Sequence, residues 1–225
     1  MLTPNRFRRL EAALRRHGYG PTIEWSENIA APCDAEDFAE RTIYVIFNSG
    51  FRNSIAEPIY QRCIVALRNG ESAATVFGHP GKALAIDTIW NARSELFHQY
   101  GQTTDPIEFL KNLPWIGPIT SLHLGKNLGL MLAKNDVHMQ RLARRDRTTT
   151  AKLCQKLSRE TGYCVPTIDT VLWRACADGL LNSQVYERHG WSAAISAEVT
   201  SEAWRSPTVD GPALTNEPIG DDPPA

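Results

Sequence analysis

Apolar residues recur along this chain at spacings of three and four, the period of an amphipathic helix. From Pro4 to Arg16, Phe7, Leu10, Ala13 and Leu14 share one face and arginines the other. Asp34, with Asp37 three residues on, predicts an N-cap for a helix running to about Phe47. The polar, glycine-containing stretch Asn48–Asn53 breaks it, and a second helix follows from Ser54 to Arg68, with Pro58 in its first turn. A short helix is expected over Ser72–Val76, and a turn at Gly78-His79-Pro80-Gly81. A single long helix is then expected from Lys82 to Tyr100, with Ile86, Ile89, Trp90 and Phe97 on its apolar side.

Asp105-Pro106 opens another helix, Ile107–Asn112, which leads into the turn Leu113-Pro114-Trp115-Ile116-Gly117-Pro118 and then the helix Ile119–Leu132. Further helices are expected over Met139–Arg145, Thr148–Thr161 and Thr167–Asp178, with Gly162 as a stop. No run alternates with period two for long enough to argue a sheet. From Arg205 to Ala225 the chain carries five prolines and no helical period, so it reads as a disordered acidic tail. The fold class is therefore all-α, with residues 1–204 as the helical domain.

The formal net charge of -1 hides an asymmetry. Residues 111–160 hold ten Lys/Arg against three acids, and residues 198–225 hold six acids against Arg205 alone. A polyanion partner fits the basic segment, although charged helix faces are often only solvated. Five scattered cysteines, with no Cys-x-x-Cys pair, argue against a zinc ribbon and for a reduced cytosolic protein. No apolar run reaches the roughly 18 residues of a membrane span, and the basic N-terminus lacks the apolar core of a secretory signal.

The stretch from Phe109 to Arg145 carries the candidate chemistry. Gly117 lets a partner approach the backbone closely. The helix starting at Ile119 and Thr120 offers unpaired N–H groups with partial positive charge. Such a turn suits a phosphate oxygen, or a monovalent cation held by carbonyls and shared with the phosphate. An antiparallel helix pair joined by a tight turn is also a common purely structural unit. Eighteen residues beyond Pro118 lies Asp136, followed by His138 and Arg141. Asp136 has two compatible readings, as an N-cap and as a catalytic carboxylate.

Residues 109–145 resemble the heart of the helix-hairpin-helix DNA glycosylase superfamily, in its 3-methyladenine glycosylase-like branch. That family carries Leu-Pro-Gly-Val-Gly at its hairpin and Asp-x-His-x-x-Arg further on. The matching residues are Leu113-Pro114-Trp115-Ile116-Gly117 and Asp136-Val137-His138-Met139-Gln140-Arg141. Phe47–Arg52 is similar to an interhelical loop of the same enzymes, and a common helical order extends over roughly residues 35–180. The resemblance implies two helical lobes around a DNA-binding cleft, with the helix-hairpin-helix at about 107–133. It implies a DNA N-glycosylase acting in base-excision repair as a cytoplasmic, nucleoid-associated monomer on double-stranded DNA bearing a damaged or modified base. It assigns catalysis to Asp136, with His138 and Asp169 in support. DNA contacts fall to Trp115, Gly117, Ile119, Thr120, Lys126, Arg141, Arg144 and Arg145, and base-pocket or wedge roles to Asn48, Phe51, Arg52 and Trp90. Trp115 departs from the family's glycine. Ile119 stands where the family's lyases carry lysine, which implies hydrolysis without strand cleavage. The cysteine spacing implies no iron–sulfur cluster, and no metal or other cofactor is expected. Two rivals use the same scaffold: a non-catalytic DNA-binding protein and a modified-base transferase.

Overall fold

The computed structural model describes residues 1–51 and 53–200. Arg52 and the expected tail lie outside the described residues. Those described are all-helical, their one β feature being an isolated antiparallel bridge between Leu181 and Ile195. None of their helices is long and apolar enough to cross a membrane.

The helices wrap two hydrophobic cores. The first is made by chain segments far apart in sequence, with Leu2, Phe7, Leu10, Leu14 and Ile23 packing against Met139, Leu142, Leu157, Ile168, Leu172 and Tyr186. Its elements are α1 (Pro4–Leu14), α2 (Gly20–Glu27) and, much later, α9 (Val137–Arg145), α10 (Thr150–Thr161), α11 (Val165–Ala177), α12 (Ser183–His189), α13 (Trp191–Ala194) and α14 (Ala197–Thr200). The second core lies wholly within residues 38–128, around Phe38, Ile43, Phe47, Ile86, Ile89 and Leu124. It is built by α3 (Ala35–Asn48), α4 (Asn53–Arg68), α5 (Pro80–Asn91), α6 (Arg93–Gln102), α7 (Pro106–Lys111) and α8 (Pro118–Asn127).

Local chemistry sets the boundaries. Asp34 caps α3 as expected, accepting from the Asp37 N–H at 2.8 Å. The long helix expected over Lys82–Tyr100 is instead two, broken at Ala92. Arg93 accounts for the break: its guanidinium covers the Trp90 ring at 4.6 Å and donates to the Trp90 carbonyl at 2.7 Å, closing α5. The helix expected to reach Leu132 stops at Asn127, because Gly129 turns left-handed (φ 87°) and Leu130 donates back to the Gly125 carbonyl. Pro58 sits inside α4, not in its first turn.

The linkers between the cores are fastened by one side chain. Arg41 binds Asp37 through two nitrogens and donates to the carbonyls of Ala30 and Asn127, at 2.7 and 3.0 Å. At Gly129 a Cβ would stand 3.0 Å from the Ala30 backbone, so the two crossing segments touch.

Candidate nucleic-acid interface

The turn between α7 and α8 is fixed from within. Leu113 and Ile116 are buried, and the Ile116 N–H returns to the Leu113 carbonyl at 3.0 Å. Trp115, between them, has φ 66°. That is the left-handed conformation glycine tolerates best. The tryptophan therefore keeps a glycine-like backbone instead of remodelling the turn. Its side chain is 45% exposed and meets the His79 ring edge-on, with centroids 5.2 Å apart. It also lies over Gly81, where a Cβ would come within 2.8 Å of Trp115 Cζ3.

Gly117 is the N-cap of α8, and its N–H donates to Thr120 Oγ1 at 2.6 Å. The Thr120 hydroxyl, expected as a phosphate donor, is thus folded into the cap and lies 3.2 Å from the Gly117 carbonyl. The N–H groups of Ile119 and Thr120 open the helix, where its geometry supplies no carbonyl to accept from them. Ile119 is exposed beside them.

The loop after α3 sits beside this turn. Phe51, 40% exposed, begins an aromatic chain that runs through Phe77 and His79 to Trp115, with successive centroids 6.2, 6.1 and 5.2 Å apart. Lys82 anchors the loop, donating to the Ser49 carbonyl at 2.6 Å with its ammonium 4.5 Å from the centroid of the Phe51 ring. Burial lowers the Lys82 pKa. Neither Lys82 nor His79 is singled out by sequence spacing; the fold alone joins them to the loop. Asn48 is half-buried and donates to the Tyr44 carbonyl at 3.0 Å. Trp90 is corrected: it belongs to the second core beneath Arg93 and cannot serve as an open stacking surface.

Asp136 is the N-cap of α9. Its Oδ1 accepts the N–H groups of both His138 and Met139, at 3.0 and 3.1 Å. Among the described residues Oδ2 accepts no hydrogen bond, and the side chain is half-buried. Two residues earlier, Lys134 has its pKa lowered chiefly by burial, against the attraction of Asp136. The Lys134 N–H donates to Asp169 Oδ1 at 3.0 Å, which ties the segment before Asp136 to α11.

Asp169 and Lys126 need correction together. Asp169 is 1% exposed, Lys126 is 8% exposed, and Lys126 Nζ lies 2.6 Å from Asp169 Oδ2. Lys126 is an internal strut and is shut away from DNA phosphates. Burial raises the Asp169 pKa, outweighing the ammonium and the Lys134 N–H that oppose it. His138 is also redirected: Nδ1 lies 2.9 Å from Ser183 Oγ on α12, so the imidazole joins two helices while its backbone N–H holds Asp136. Arg141 and Arg144 face Glu187 of α12, Arg144 at 2.7 Å, and Arg145 reaches the Arg188 carbonyl. These arginines lie along the α9–α12 seam, with Arg144 and Arg145 exposed at its edge.

A cavity of about 700 Å³ opens where the two cores meet, and sequence reading did not reach it. Its walls come from α2, α3, α4, the end of α8 and α11, so no window of sequence could show them together. Trp25, Tyr44 and Tyr60 supply aromatic surface, and Asn127 and Arg174 supply polar groups. Arg174 follows Trp173, whose ring centroid lies 4.7 Å from that guanidinium and 5.9 Å from Lys134 Nζ. No protein-family model, curated protein or solved structure matches this chain.

Proposed function

We propose that the chain is a monofunctional DNA N-glycosylase that hydrolyses the bond between a damaged or modified base and its deoxyribose. The observation that carries this reading is the state of Asp136, with one oxygen pinned by two backbone N–H groups and the other unengaged among the described residues. Glycosidic cleavage builds positive charge on the sugar, and a fixed carboxylate stabilises it and orients the attacking water.

Under this reading the exposed turn at Trp115, Gly117 and Ile119 meets the DNA backbone, with a shared monovalent cation or directly. Phe51 lies near enough to Trp115 through the aromatic chain to act on the same duplex as a wedge when the base flips out. Arg144 and Arg145 add phosphate contacts at the edge of α9. Ile119 puts no amine at the family's lyase position.

Base release from a panel of duplex oligonucleotides tests the proposal, with alkylated, deaminated, oxidised and hydroxymethylated bases each split with and without hot alkali. Strand breaks that need alkali and vanish in Asp136→Asn support it. Salt-sensitive DNA binding with no base released anywhere in the panel moves the reading to a non-catalytic binding protein.

A further inference from the structure

The inter-core cavity has a chemistry that restricts its occupant. Tyr44 and Tyr60 meet edge-to-face with centroids 5.4 Å apart, and Trp25, 50% exposed, stands at another wall. Flat π surfaces of this kind receive a planar heterocycle. The described lining includes two guanidinium groups, Arg41 and Arg174, and no carboxylate. The charge of Arg41 is answered by Asp37, and Arg174 has Asp178 at 3.8 Å.

Two polar atoms of lining residues are buried with no hydrogen-bond partner, Asn127 Oδ1 and Arg174 Nε. Asn127 as a whole is 4% exposed. Buried polar groups are almost always paired, and those left unpaired are costly. Arg174 Nε is a donor only, and the Asn127 amide offers an acceptor. A ring carrying C=O next to N–H answers both. A purine made cationic by alkylation brings a positive charge to a wall that already holds two.

We propose that this cavity is a base pocket selective for an uncharged heterocycle with a lactam or imide edge, the edge of uracil, its 5-substituted relatives and hypoxanthine, and that Asn127 and Arg174 read that edge. The pocket reaches the proposed reaction centre through α11 and Lys134, two residues before Asp136. The inference rests on the glycosylase reading for how a base arrives, but free-base binding needs no catalysis.

The test therefore has two arms. In the first, uracil, 5-hydroxymethyluracil, hypoxanthine, 3-methyladenine and 7-methylguanine are titrated as free bases against the full chain by calorimetry. The lactam and imide bases should bind at least tenfold tighter than the methylated purines. Asn127→Leu should remove that preference, and Asn127→Asp, which keeps the shape and adds negative charge, should shift it toward the methylated purines. Trp25→Ala, at an exposed position, should weaken all five and keeps the test alive if both Asn127 variants misfold. Equal or tighter binding of methylated purines, no binding of any base, or indifference to Asn127 and Trp25 overturns the pocket assignment. In the second arm the same bases are presented in duplex DNA. Free-base selectivity without release leaves the pocket standing and removes the glycosylase reading. Release of methylated purines in preference to the others does the reverse.

Discussion

Lys126 of α8 and Asp169 of α11 meet inside the protein, ammonium to carboxylate at 2.6 Å, and join the hairpin's second helix to the helix behind Asp136. Removing one member of such a pair strands a buried charge, at a cost of about 3–5 kcal/mol. Asp169→Ala should lower the urea midpoint by that amount. Lys126→Met with Asp169→Leu should recover most of it, because no charge is then left alone. Activity should fall in both, since the double variant still loses the carboxylate that holds the Lys134 N–H.

Asp136 combines a cap with the proposed catalytic role, and two substitutions separate them. Asparagine caps as well as aspartate, whereas alanine loses about 1 kcal/mol at an N-cap. Asp136→Asn should unfold at nearly the wild-type urea concentration and release no base. Asp136→Ala should be both less stable and inactive. Retained turnover in Asp136→Asn would remove the catalytic role.

Trp115 and Gly81 should behave as one unit. Gly81→Ala drives a methyl to within 2.8 Å of the Trp115 ring, an overpacking worth about 1–3 kcal/mol. In a Trp115→Gly background the same change should be neutral or stabilising, because glycine is a poor residue within a helix. A thermodynamic cycle of the four proteins should show this coupling. Trp115→Gly alone also relieves about 1–2 kcal/mol of left-handed backbone cost, so its own stability should change little while DNA affinity falls.

His123 lies on α8 with its pKa held well below the usual value by burial first, then by Lys134 and Lys126. The unfolded chain takes up a proton near pH of about 6.5, and the native chain does not. Stability is therefore complete above that pH and lost as pH falls, by up to about 1.4 kcal/mol per unit. Urea midpoints measured from neutral pH downward should decline, and His123→Gln should flatten that decline. Asp169, lifted by burial, slopes the opposite way above the ordinary carboxylate range, so the difference between the two proteins isolates the imidazole.

Ile119 in place of lysine predicts that borohydride traps no protein–DNA adduct during turnover. An adduct abolished by Lys134→Ala would instead make Lys134, partly buried beside Asp136, an amine of the reaction.

Local chemistry was legible in the sequence. Asp34, Asp136 and Gly162 do what their side chains and spacing predict, because capping involves neighbours a few residues away. The failures share a different cause. Lys126 reads as a surface cation and is drawn inward by a carboxylate 43 residues on. Trp90 reads as a candidate stacking surface until Arg93 and the core close over it. The cavity at Trp25, Tyr44, Asn127 and Arg174 depends on five elements meeting, and no local period encodes that.

The first core is assembled from both sides of an interruption, with residues 2–23 waiting for 133–199. A chain emerging from the ribosome completes the entire 38–128 core before α9 exists. For that interval α1 and α2 carry Phe7, Leu10, Leu14 and Ile23 uncovered, so the amino-terminal helices are the part of a nascent chain that a chaperone or protease meets first. The two halves of the joint at Ala30 and Gly129 are set in place before the second half of the cavity wall, Arg174, has been made.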